Sequence, residues 1–82
     1  MSEEVLFTFL STRTAIKAER ILLTAGLDAK VMPMPEALSA QCGIVLRLPP
    51  QQLETANAAL QAADVPIDTI YQKIGDEITP YA

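Results

Sequence analysis

Histidine and tryptophan do not occur in this chain, cysteine occurs once, and only three of the 82 residues are glycine. Each absence closes a class of function. Without histidine there is no Ser-His-Asp triad, and no other base is placed by spacing to activate a nucleophile. A transition-metal site would have to be assembled from carboxylates and one thiolate, which excludes structural zinc. The single cysteine, Cys42, has no partner for an internal disulfide. Gly26, Gly43 and Gly75 stand far apart, so no glycine-rich loop is available to cradle a phosphate. Together these gaps argue against an enzyme with its own substrate, and for a chain with no bound metal or cofactor.

Positive charge is also scarce. Six basic against ten acidic residues give a net charge of −4, which opposes the phosphate neutralisation behind most nucleic-acid affinity. Long apolar runs are missing as well: Val5 to Leu10 is far too short to cross a bilayer. The first residues, Met1-Ser2-Glu3-Glu4, are acidic where a signal peptide would be basic. The expectation is a cytoplasmic protein with neither nucleic-acid nor membrane partners.

What the chain has is aliphatic side chains. Half of its residues are hydrophobic but few are aromatic, so a core must be built from Ala, Val, Ile, Leu and Met. A chain of this length buries only somewhat over half of the surface it exposes unfolded. One domain over residues 1–82 is therefore expected, with a thin core. A second copy covering an apolar face would add stability that the monomer lacks.

Val5-Leu6-Phe7-Thr8-Phe9-Leu10 is rich in β-branched and aromatic residues and reads as a strand, ending at the helix-capping pair Ser11-Thr12. Ala15, Ala18, Leu22 and Ala25 then recur at helical spacing, with Ile21 beside them, while Arg13, Lys17 and Arg20 fall largely elsewhere. Gly26 ends that helix. Ala29 to Met32 form a short second strand, stopped by Pro33 and Pro35 because proline cannot donate to a sheet ladder. Glu36 to Gln41 have too few apolar anchors for a long helix and read as an ordered loop. Ile44-Val45-Leu46-Arg47-Leu48 is the strongest strand, nearly all apolar and so expected at a central position. Pro50 suits the first turn of a second helix, whose stripe is Leu53, Ala56, Leu60 and Ala63 and whose pattern Pro66 ends. Ile67 to Lys73 read as a last strand.

The order β-α-β-β-α-β is the split βαβ arrangement of ferredoxin-like folds. The predicted architecture is α+β, a four-stranded antiparallel sheet with both helices on one face, a core over about 4–73 and a polar tail over 74–82. Alternation turns Val45 and Arg47 to the open face if Ile44, Leu46 and Leu48 meet the helices. That bare face is where a second copy is expected to dock, giving a homo-oligomer. Other activities of this fold class do not fit: Ser11-Thr12-Arg13-Thr14 is neither a glycine-rich anion loop nor a Cys-x-x-Cys pair.

One chemical feature remains, Ser39-Ala40-Gln41-Cys42-Gly43, a lone thiol just before the strongest strand. Free cysteine is among the most buried residue types, so Cys42 reads first as an apolar filler. Three neighbours favour a reactive thiol instead. Gly43 permits close backbone approach or positive φ, Ser39 offers a hydroxyl, and Arg47 supplies a cation that would favour a thiolate if the fold brings it near. Arg13 and Lys17 read as a solvated helix face, and Met32 and Met34 as packing residues.

Phe9-Leu10-Ser11-Thr12 with Ala15, Ala18 and Glu19, then Ala25-Gly26-Leu27, Met32-Pro33-Met34-Pro35, Leu38-Ser39, and above all Cys42-Gly43-Ile44-Val45-Leu46-Arg47 resemble the small bacterial selenium/sulfur carrier-like family. The resemblance spans about Phe7 to Tyr71. It implies that Cys42 holds sulfur or selenium as a persulfide or selenopersulfide and passes it on, between donor and acceptor proteins. Gly43 and Arg47 match the same motif, whereas Ala40-Gln41 stand where the family often has small hydroxyl residues. The leading expectation is thus a non-enzymatic chalcogen carrier with a reachable thiol more acidic than a free cysteine. The alternatives are a protein-interaction or oligomerisation module working through Val45 and Arg47, and a redox-sensing thiol.

Overall fold

The computed structural model describes residues 3–35, 38 and 43–81. Strand β1 (Glu3–Thr8) leads into helix α1 (Thr12–Thr24), followed by β2 (Lys30–Pro33) and β3 (Ile44–Leu48). A 3₁₀ turn over Pro50–Gln52 runs into helix α2 (Leu53–Ala62), and β4 (Thr69–Ile74) and β5 (Glu77–Pro80) complete the described chain. No helix among the described residues is long and apolar enough to cross a membrane.

The helix ends follow from single residues. Ser11 is extended (φ −146°, ψ 155°) and its Oγ accepts a 3.1 Å hydrogen bond from the Thr14 amide, satisfying a donor that the first turn of α1 leaves open. Ser11→Ala should therefore lower stability by about 1 kcal/mol in urea unfolding, while Ser11→Asp should keep most of it. An alanine variant as stable as the parent would mean that water caps the helix equally well.

At the other end Gly26 takes φ +83°. The Leu27 amide then reaches the Leu22 carbonyl at 3.0 Å, the closure that a left-handed residue past the cap makes possible. Helix α2 ends in the same way, with Val65 N–H on the Leu60 carbonyl at 2.9 Å, but the left-handed residue is Asp64 (φ 59°). The helix is over before Pro66 is reached; aspartate, which tolerates this conformation better than most residues, ends it.

The sheet order is β2-β3-β1-β4-β5, with every neighbouring pair antiparallel. β1 is the middle strand, held by β3 through Val5↔Leu48 and Phe7↔Leu46, and by β4 along its full length from Glu3↔Ile74 to Thr8↔Thr69. Residues directly opposite in an antiparallel pair share a face. Val5, Phe7, Leu46 and Leu48 accordingly join Ala15, Ala18 and Leu22 of α1 and Ala56 and Leu60 of α2 in one buried cluster. The small alanines let the helix backbones lie close to the sheet, which suits a core short of large side chains.

Two expectations are corrected. The sheet has five strands rather than four, because the supposed polar tail turns back at Gly75-Asp76 and pairs Ile74 with Glu77 and Tyr71 with Pro80. Gly75, at φ +60°, supplies the left-handed residue that a two-residue hairpin of the Gly-X kind needs. The strand was hidden in the sequence because it is an edge strand in which Ile78 alone is half-buried, leaving almost no alternation to read. The second correction concerns the open face. Leu6 and Val45 point away from the helices, yet both are 0% exposed in the single chain, so at these positions no apolar patch waits for a second copy to cover it. The loop expected over Glu36 to Gln41 falls, except for Leu38, outside the described residues.

Candidate functional site

Ser39 and Cys42 lie outside the described residues, and the candidate site is framed by the residues that anchor their segment. On one side β2 ends at Pro33, opposite Ile44; on the other β3 begins at Ile44. The Met34 amide donates to the Gly43 carbonyl at 3.0 Å, carrying the ladder one step past the strands. Leu38 N–H then meets the Pro35 carbonyl at 3.0 Å, a single turn that redirects the chain as it leaves β2. Cys42 thus belongs in the sequence to the stretch between Met34 and Gly43, whose two ends are joined by a backbone hydrogen bond, and its own peptide bond links it to Gly43.

Gly43 does not use the freedom that glycine offers. Its φ lies outside the left-handed region taken up by Gly26 and Gly75, and a Cβ added there would meet nothing within 4 Å. What the position contributes is its carbonyl, which holds Met34, at an exposed residue.

Arg47 belongs to the other end of β3. Four residues of extended chain separate it from Gly43, about 13 Å at the usual rise. Its Nε lies 3.1 Å from Glu4 Oε2, and Lys73 Nζ approaches the other oxygen of the same carboxylate at 3.7 Å. The register places all three on the open face: Arg47 stands across from Leu6, and Glu4 across from Lys73. The guanidinium is thus committed to a carboxylate within its own sheet. Glu4 belongs to this group although nothing near Arg47 in the sequence points to it. Its signal was the alternation Glu4, Leu6, Thr8, which places Glu4 with Arg47 once β1 and β3 are known to pair.

The fold brings other groups to the end of the sheet where Gly43 lies. Because β1 and β3 are antiparallel, the C-terminal end of β1 and the start of α1, with its Ser11 cap, belong to that same end. β4 begins there too, pinned by Thr8. The Thr8 hydroxyl, in a buried residue, donates to the Thr69 carbonyl at 3.2 Å and accepts from the Thr69 amide at 3.1 Å, and Asp68 N–H donates to the Thr8 carbonyl at 2.8 Å. Beyond β4 an open groove of about 550 Å³ runs between the end of α2 and the sheet, lined by Gln61, Pro66, Asp68, Pro80 and Tyr81 among others. Among the described residues no Lys lines it, so these residues bring no amine nucleophile into play.

A small α+β domain with two helices on a five-stranded antiparallel sheet is the class that these features define. Residues 4–72 match the family described as "Putative Se/S carrier protein-like", and the chain belongs to that family. The matched span includes Ser39, Cys42, Gly43 and Arg47 and stops short of β5. No curated protein and no solved structure matches the chain.

Proposed function

We propose that this protein is a chalcogen carrier in which Cys42 holds one sulfur or selenium atom for transfer between proteins. The observation that carries the reading is the family membership over residues 4–72, taken with a composition that leaves one side chain able to do the work. A carrier must bind the atom covalently and release it to a thiol, which calls for a soft nucleophile. Cys42 is the chain's single cysteine, and histidine is absent. Ser39, Gly43 and Arg47 are supporting residues in this reading. Gly43 holds the segment to β2, and Arg47 shapes the sheet through Glu4, while Ser39 belongs to the thiol's own segment. The order β2-β3-β1-β4 supports taking the first four strands as a ferredoxin-like core, with β5 added beyond β4.

The loading step balances without an external oxidant. The Cys42 thiolate attacks the outer sulfur of a donor persulfide; a new S–S bond forms on Cys42, the donor's S–S bond breaks, and the donor leaves as a thiolate. The sulfane sulfur keeps its oxidation state and its proton. Delivery is the same exchange with an acceptor thiolate as the nucleophile. The test is intact mass after exposure to glutathione persulfide, with a selenium-loaded donor as the second arm. The parent chain should gain the mass of one chalcogen atom, reversibly by dithiothreitol; a chain that stays unmodified by both donors would end the carrier reading.

A further inference from the structure

Half of the chain's cations are gathered on a single surface. Arg13, Lys17 and Arg20 recur at i, i+4 and i+7 along α1, so they form one stripe, and Ile16 and Leu23 flank it. All five residues are exposed, Ile16 and Leu23 by 49% and 51%. The opposite side of the helix, Ala15, Ala18 and Leu22, is the buried one. The one acid of α1, Glu19, is half-buried; it is off the line of the cations and lies between Ile16 and Leu23, at the margin of the face. None of the three cations forms an ion pair among the described residues, whereas Arg47 and Lys73 on the sheet share Glu4. On a chain of net charge −4, a face with three exposed cations, two exposed aliphatic side chains and a single half-buried acid at its margin is a charge reversal confined to one helix.

We infer that the outer face of α1 is a docking surface for an acidic, partly apolar segment of a partner protein. Charge complementarity selects the occupant. The surrounding negative charge repels an acidic partner in every orientation except the one that presents it to α1, which steers the approach and fixes its register. Ile16 and Leu23 then offer apolar contact area that a purely ionic surface lacks. An anionic bilayer is the poorer fit, because the main apolar face of α1 is spent on the core and the net charge opposes the lipid. The start of α1 belongs to the end of the sheet that holds Gly43, so a partner on this face meets the chain at the end where Gly43 follows the carrier cysteine in sequence. That last point rests on the carrier reading; the docking surface itself does not.

The test is made on both the parent chain and Cys42→Ser, so that the fate of the thiol and of the surface are read separately. A fluorescent synthetic helical peptide displaying Glu and Leu along one side is titrated by anisotropy at low and high salt. Saturable binding is expected, weakening as salt rises, with about tenfold or greater loss in the triple variant Arg13→Glu, Lys17→Glu, Arg20→Glu. Circular dichroism verifies that the triple variant keeps its helices, as exposed positions should. Lys30→Glu, an exposed cation off α1, should leave affinity within about twofold. The inference is overturned by no saturable binding, by equal affinity in the triple variant, by an equal loss in Lys30→Glu, or by binding to phosphatidylserine vesicles without binding to the peptide.

Discussion

Phe7→Ala should remove about 3–5 kcal/mol of stability, the largest loss expected from any single truncation in this chain. Phe7 is fully buried on the middle strand, between Leu46 of β3 and Ile70 of β4, in the cluster that both helices share. Its ring is one of only two phenylalanines in the chain, and the aliphatic residues around it cannot reach across the space that it fills. A domain of this size has roughly 4–12 kcal/mol of stability in all, so the alanine variant should be marginal and Phe7→Leu gives the measurable counterpart. The leucine variant should unfold at clearly lower urea with an unchanged m-value. A cost below about 1 kcal/mol for Phe7→Ala would mean that the helices can settle into the vacated volume.

Cys42→Ser should abolish chalcogen loading completely, since no second thiol exists to take over. The change is small in volume and keeps a hydroxyl where the thiol was, but an alkoxide is not accessible at neutral pH and oxygen does not hold sulfane sulfur. Loss of the mass gain together with an unchanged unfolding midpoint is the expected pair of results. A thiol that resists iodoacetamide in the native chain, with serine chiefly lowering stability, would instead mark Cys42 as a packing residue.

The elements that could be read from the sequence are those whose signals are local. Ile44 to Leu48 was bounded by Gly43 and Pro49 and matches β3 residue for residue. The α1 start followed from Ser11-Thr12 and its end from Gly26. What could not be read depended on partners far along the chain. The sharing of Glu4 by Arg47 and Lys73 needs β1, β3 and β4 side by side, and β5 shows only through its hairpin with β4. The complete burial of Leu6 and Val45 on the face away from the helices belongs to the same class, because alternation tells which way a side chain points and not what covers it. For the candidate site, the sequence offers one soft nucleophile, the single thiol of a histidine-free chain. The surroundings of Arg47 were not, because a cation's partner is decided across strands.

The place of β1 in the middle of the sheet has a consequence for how the protein is made. β1 leaves the ribosome ahead of both of its neighbours, which are drawn from residues 44–48 and 69–74. Until the second of these has emerged, Val5, Leu6 and Phe7 belong to a strand with an unpaired edge, the kind of surface that recruits other nascent chains. Closing the sheet joins residues as distant as Glu3 and Ile74, so the slow step is loop closure and not helix formation. A chain released before Thr69 would carry an open apolar strand through its middle, and its fate would be aggregation or proteolysis instead of a smaller fold.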